Sequence, residues 1–205
     1  AMGKVRKATI RCMLFADDAA IVTHTEAELQ RLIHRIAKAC DEFGLTISLK
    51  KTNVMVQDAD PPSMIINNYK LEVVSEFTYL GYAITSNLSI DAELNKRFGK
   101  ASTTLSRLSQ RVWNNNFLTL NTKISVYRAC VLSTLLYVSE TWTLYAAQEK
   151  RLSVFHMRCL RRILGITWSD RVTNNEVLEH AKISSMVTLL RQRRIRWLGH
   201  VGQMD

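Results

Sequence analysis

The sequence predicts an α+β protein, with a small antiparallel sheet and one helix in the first ninety residues and a mainly helical half after them. Three observations carry that expectation. Short apolar runs punctuated by turn residues crowd positions 9 to 85, and one amphipathic helix with its own start and stop signals stands among them. Beyond Asn87, apolar residues recur at three- and four-residue spacing. At 205 residues, 47% hydrophobic and 22% charged, the chain has the length and composition of a folded domain or two small ones. No apolar run approaches the ~20 residues that cross a bilayer, so no membrane partner is expected.

Residues 9 to 23 read as strand, turn, strand: largely apolar Ile10 to Phe15, the pair Asp17 and Asp18, then Ala19 to Val22. Thr25 and Glu28 form a capping box. Behind it Leu29, Leu32, Ile33, Ile36, Ala37, Cys40 and Phe43 share one helix face over 26 to 43, and Gly44 closes the helix. Leu45, Ile47 and Leu49 alternate with polar neighbours as in a half-buried strand that ends at Lys50 and Lys51. Pro61 and Pro62 break the chain, and Asn67 and Asn68 mark a hairpin turn. FTYLGYAIT, 77 to 85, is a strand candidate with Gly81 at a bulge or close approach. Ser89 is the expected cap of a helix carrying Leu94, Phe98, Ala101, Leu105, Leu108 and Val112. After a loop at Asn114 to Asn116, helices are expected over 122 to 137, 147 to 164, 174 to 181 and 184 to 199.

The formal charge is +10. From Arg151 to His200 ten Lys or Arg stand against Asp170, Glu176 and Glu179 alone. A cationic half of this kind calls for a polyanionic partner, nucleic acid before membrane. Arg158, Arg161, Arg162, Arg191, Arg193, Arg194 and Arg196 are the expected phosphate-binding face. Trp142, Trp168 and Trp197 lie among them, as core anchors or as faces on which unpaired bases stack. Cys12, Cys40, Cys130 and Cys159 form no C-x-x-C pair and are expected as reduced thiols, which suits an intracellular, nuclear or cytoplasmic chain. His156 and Cys159 share a helix face as two zinc ligands would, but no second pair completes four, and packing is the better account.

Two adjacent carboxylates between apolar runs need an exposed turn or a positive partner. On a tight hairpin they supply oxygen ligands of the kind Mg²⁺ takes, one or two carboxylates beside waters and substrate phosphates.

FADD within its apolar flanks, then a helix and GLTISLKKTNVM, then FTYLGYAIT, stand in the order found in reverse transcriptases of non-LTR (LINE-like) retrotransposons, and the sequence resembles that family. SVYRACVLSTLLYVSETWTL resembles the family's thumb, and FHMRCLRRILGITWSDRVTNNEVL with RRIRWLGHV resembles sequence C-terminal to it. The resemblance implies a partial palm with primer grip over 4 to 88, a thumb-like region over 89 to 145 and a basic helical extension over 146 to 205. By the same resemblance Asp17 and Asp18 are the catalytic, metal-binding aspartates, with Mg²⁺ as cofactor. Lys50 and Lys51 compete as the lysine near incoming nucleotide phosphates, Lys51 favoured, and Leu80 and Gly81 fit the primer-grip turn. The implied partner is an RNA or DNA primer–template.

In the family, fingers and the first palm motifs, with the other metal-binding aspartate, precede the FADD hairpin. Only about a dozen residues precede it here. The expectation is therefore the C-terminal portion of an RNA-directed DNA polymerase that binds RNA or DNA and does not polymerise alone, unless the fingers and palm half is supplied in trans. The rival expectation is a non-catalytic, retrotransposon-derived helical module for protein interaction or self-association.

Overall fold

The computed structural model describes residues 12–203, so Ile10 and Arg11 at the start of the first expected strand lie outside the described residues. Contacts group the chain into two units that meet between Ser89 and Ile90. The α+β class holds.

The first unit is a string of small ladders around one helix. Strands β1 (Cys12–Phe15) and β2 (Asp18–Ile21) pair antiparallel, with Phe15 opposite Asp18. Helix α1 (Glu26–Glu42) starts where the sequence places it, because the Thr25 hydroxyl accepts from the Glu28 N–H at 3.3 Å. It stops by a full Schellman arrangement. Gly44 turns left-handed at φ 66°, its N–H donates to the Asp41 carbonyl, and the Leu45 N–H reaches Cys40. Ile33 and Ala37 are buried, and with Val54, Met64, Ile66 and Leu71 they make the unit's core. Phe43, expected on the same face, is 81% exposed because the helix has already ended.

The remaining strands are short. β3 (Asn53–Val54) runs parallel to β6 (Glu72–Val73), while β4 (Ile65–Ile66) and β5 (Tyr69–Lys70) form the expected hairpin. Asn67 and Asn68 sit at φ 47° and 63°, the left-handed pair a tight hairpin demands and Asn tolerates. A two-residue strand leaves its backbone under-paired, and a side chain completes it. The Gln30 amide accepts from the Ile65 N–H at 2.9 Å and donates to the Ile65 carbonyl at 2.7 Å, acting as a neighbouring strand would. FTYLGYAIT is not one strand but a hairpin, β7 (Glu76–Tyr79) and β8 (Tyr82–Thr85), turning at Leu80 and Gly81. The expected strand over 45 to 50 is a second correction. Ile47 and Leu49 do pack on the core, but the segment pairs with no ladder and ends in a turn at Leu49–Lys51. Alternation recorded which side chains are buried, not whether a neighbour was there to bond.

The second unit is helical. α2 (Asp91–Arg107) has Ile90, already helical and without a side-chain cap bond, at the N-cap position expected for Ser89. The last expected residues, Leu108 and Val112, fall around a π-helical segment, Ser109–Trp113, whose indole turns back to the Leu105 carbonyl at 2.6 Å. α3 (Leu120–Val126), capped by Thr119, runs through a second π segment (Tyr127–Leu132) into α4 (Ser133–Leu135). α5 (Ala146–Leu164), α6 (Asn174–Ala181) and α7 (Met186–Val201) follow.

Helix α5 carries the core: Leu152, His156, Cys159, Leu160 and Ile163 are all buried. Tyr127 donates its hydroxyl proton to His156 Nδ1 at 2.7 Å, and Nε2–H reaches the Ser184 carbonyl at 3.3 Å. This assignment needs a neutral ring, and burial does hold the imidazole neutral, lowering its pKa to about 4. Burial likewise pushes the Cys159 thiol up to about 12, so both groups are inert core members. Nearby, Arg97 and Glu93 form a buried ion pair, and the Arg97 guanidinium lies 4.5 Å from the Tyr137 ring centroid. Among the described residues no helix is long and apolar enough to cross a membrane.

Two outcomes follow. Thr25→Ala removes the cap of α1 and lowers stability by about 1 kcal/mol, read as a urea midpoint shift. Unfolded His156 takes up a proton near pH 6.5, whereas the folded ring resists until about pH 4. In that window the unfolded chain binds more protons. Stability is therefore complete above pH 6.5 and falls as pH drops toward 4, by on the order of 3 kcal/mol. His156→Gln, compared by urea unfolding at pH 7 and pH 4.5, loses most of that acid sensitivity. Equal sensitivity in both proteins would remove the buried ring as its source.

Candidate metal hairpin and basic helices

Two places bring the sequence-selected residues together, one in each unit. In the first unit the β1–β2 hairpin turns through Ala16 and Asp17, with Asp18 opening β2. A two-residue turn forces a positive φ somewhere, and here Ala16 takes it at 51°. A β-carbon in that region costs roughly 1–2 kcal/mol. Asp17 and Asp18 are both exposed, as are Leu14 and Phe15 on the preceding strand. The carboxylates thus sit in water rather than in an apolar pocket, which answers how two charges tolerate apolar flanks. The Tyr79 hydroxyl donates to the Met13 carbonyl at 3.4 Å and ties the β7 strand to this hairpin.

Leu80 and Gly81 occupy the β7–β8 turn at φ 48° and 80°, so both are held left-handed. Gly81 suits that conformation, and Leu80 does not. Lys50 and Lys51 lie on the turn preceding β3, exposed, rather than at a strand end.

The pair of carboxylates fits part of a divalent-ion site and no more. Among the described residues no group of three or more His, Cys, Asp or Glu converges to hold a metal. Two carboxylates are what Mg²⁺ draws from a protein when substrate phosphates complete its shell. His156 and Cys159 cannot hold zinc, because the ring is already bonded on both nitrogens.

The second place is α5 and α7, where the seven selected arginines divide. Arg161 donates to the Val172 carbonyl at 2.9 Å and to Asn174 at 3.0 Å. Arg162 donates to the Ser109 hydroxyl at 2.8 Å. Arg193 and Arg194 reach the Leu136 and Trp142 carbonyls, each at 3.0 Å, and Arg193 also stands 3.9 Å from Glu140. Those four hold the fold together. Arg158, Arg191 and Arg196 are exposed and make no hydrogen bond or ion pair among the described residues. Of the three acids among them, Glu179 is exposed and the other two are hydrogen-bonded to threonines. Asp170 accepts from the Thr167 N–H and hydroxyl, Glu176 from those of Thr173, and these bonds hold both carboxyls below the usual range. Of the tryptophans Trp142 is core, Trp197 is half exposed and lies 5.5 Å from the His200 ring, and Trp168 is 95% exposed.

Sequence reasoning did not find the arginines that structure the fold elsewhere. Arg151 bridges Asp91 and Asn95, and Arg128 donates to the Lys182 carbonyl. A guanidinium that caps a distant carbonyl carries no local sequence signal.

Residues 1–84 match the family described as reverse transcriptase (RNA-dependent DNA polymerase). The chain is 25% identical over 206 aligned residues to an uncharacterized transposon-derived protein of Caenorhabditis elegans, covering 92% of this chain and 70% of that one. It is 24% identical to the RNA-directed DNA polymerase from mobile element jockey of Drosophila funebris, and 21% identical to that of Drosophila melanogaster. Each of those alignments covers 79% of this chain and 19% of the polymerase. No solved structure matches significantly. The FADD hairpin, the helix and the LG turn stand in order inside the segment that matches the reverse transcriptase family, and similarity to mobile-element polymerases continues beyond it.

Proposed function

We propose that this chain binds RNA or DNA, a primer–template above all, mainly through phosphates, and contributes one carboxylate hairpin to a Mg²⁺-dependent polymerase site. The observation that carries the reading is the division of the arginines. Three guanidiniums on α5 and α7 are left outside the fold's own bonds, while Asp170 and Glu176 are tied to their capping threonines. Positive charge that the fold does not use internally is available to phosphates, which accept forked hydrogen bonds from arginine.

On this reading Asp17, with Asp18 beside it, would hold the metal, and Lys51, with Lys50 beside it, would face the incoming phosphates. Leu80 and Gly81 steady the primer end. The family generally uses a divalent metal, which when bound activates the attacking oxygen and steadies the leaving one. Two exposed carboxylates on one hairpin do not hold a metal pair, so polymerisation by this chain calls for another aspartate, supplied in trans or by sequence outside it. The activity of the whole jockey-type polymerase is a proposal here, since the chain spans about a fifth of those proteins' length.

Fluorescence anisotropy with labelled primer–template tests the binding. Affinity falls steeply between 50 and 200 mM salt, as phosphate neutralisation requires. Replacing Arg158, Arg191 and Arg196 together by Glu weakens binding at least ten-fold and flattens the salt slope, with the thermal midpoint nearly unchanged. Arg194→Ala instead lowers stability by about 1–3 kcal/mol, because it leaves the Trp142 carbonyl without its donor. Wild-type protein that binds no nucleic acid at 50 mM salt would overturn the reading. Adding Mg²⁺ tightens binding of primer–template with nucleotide, and Asp17→Asn removes that increment alone.

A further inference from the structure

We infer that Trp168 is a stacking platform for an unpaired base, making the α5–α6 connection a contact for single-stranded nucleic acid; this deepens the nucleic-acid reading above and rests on it. A tryptophan at 95% exposure is unusual, because its ring normally supplies one of the largest apolar burials in a protein. The connection that carries it is not loose. Gly165 closes α5 in the left-handed region, and the Ile166 N–H returns to the Arg161 carbonyl at 2.9 Å. The 3₁₀ turn Trp168–Asp170 is locked by Asp170 on the N–H and hydroxyl of Thr167, at 2.6 and 2.8 Å. Arg161 grips the Val172 carbonyl, and Thr173 begins α6 with a capping box. Every anchor along 165 to 173 is satisfied inside the protein, yet the largest side chain of the segment faces water.

A rigid turn that displays an aromatic face has already met the entropic cost of ordering it, which favours its use as a contact. The local charge selects the partner. Arg171 follows the turn and is exposed, and both Asp170 contacts are made to Thr167 rather than to that guanidinium. An aromatic face next to a free guanidinium suits a nucleic-acid strand whose bases are unpaired and whose phosphates lie alongside. A duplex offers only its outermost base pair for stacking, so the ligand is single-stranded.

The test uses the full chain with a labelled oligothymidylate of twenty residues and a duplex of equal length. Trp168→Ala weakens single-strand binding about ten-fold and duplex binding less than two-fold. Trp168→Phe, which keeps a π-face, restores most of the loss. The thermal midpoint of both variants stays at the wild-type value, because almost none of the ring is buried. Oligothymidylate also quenches tryptophan emission in wild-type protein by an amount that Trp168→Phe removes. Single-strand affinity unchanged in Trp168→Ala overturns the stacking role while phosphate binding stands, and leaves the ring as a contact for protein. Wild-type protein that binds neither ligand overturns both readings together.

Discussion

The second unit depends on one buried hydrogen bond made to a histidine that must stay neutral. His156 lies on α5, the helix against which α2, α3, α6 and α7 all pack. Its two ring nitrogens join that helix to Tyr127 on the π segment and to the Ser184 carbonyl just before α7. A protonated imidazole has two donors and no acceptor, so it could not receive the Tyr127 proton. Burial settles the matter by penalising the charged ring, and the same burial raises the Tyr127 pKa well above its ordinary value. The polar trio thus fixes which turn of α5 faces which neighbour, something an all-leucine seam would leave degenerate. Cys159, one turn further on, is part of the same apolar surround.

From that fixed helix the arginines follow. α5 and α7 present guanidiniums to the ends and connections of neighbouring elements, where carbonyls lack helical partners. Arg193 and Arg194 serve Leu136 and Trp142 on either side of the 3₁₀ turn Ser139–Thr141, and Arg161 serves Val172. A count of basic residues therefore overstates the surface charge that is free for a ligand. It merges side chains that complete the backbone's hydrogen bonding with those that meet solvent, and only the second group bears on phosphates.

Local signals were legible and non-local ones were not. The limits of α1 followed from caps that act within three or four residues, Thr25 with Glu28 and then Gly44. Helices α5 and α6 were expected from spacing alone, over 147 to 164 and 174 to 181; α5 ends at Gly165 and α6 begins at Thr173 by caps of the same kind. The Asn67–Asn68 turn was legible for the same reason, since the residue type answers a local backbone need. The segment 45 to 50 had the right alternation, but a strand needs a partner and sequence pattern does not name one. Ser89 looked like a cap, yet Ile90 enters the helix without one, and Asp91 and Glu93 face the positive end of the helix dipole instead. In the candidate sites the order of motifs was legible and the occupation of each side chain was not. Whether Arg158 is free and Arg161 is bound depends on Val172 and Asn174 arriving from beyond a turn. The same holds for Trp168 and Trp142, alike in composition and opposite in burial.

The state of the FADD hairpin sets the order in which ligands are useful. Asp17 and Asp18 stand in water, where the Coulomb attraction of one ion for one carboxylate at 4 Å is only about 1 kcal/mol per unit charge. An ion there remains mostly hydrated and is released readily. Bringing phosphate oxygens alongside changes the balance twice, by adding ligands and by displacing water so that the remaining charges are screened less. On the proposed reading nucleic acid and nucleotide therefore precede a firmly held metal, and the chain's first task is to grip a strand. The free guanidiniums and the displayed indole answer that task, because neither requires a metal. The left-handed Ala16 belongs to the same logic: strain kept in an exposed turn has no packing benefit in return, and persists where the turn has a geometry to deliver.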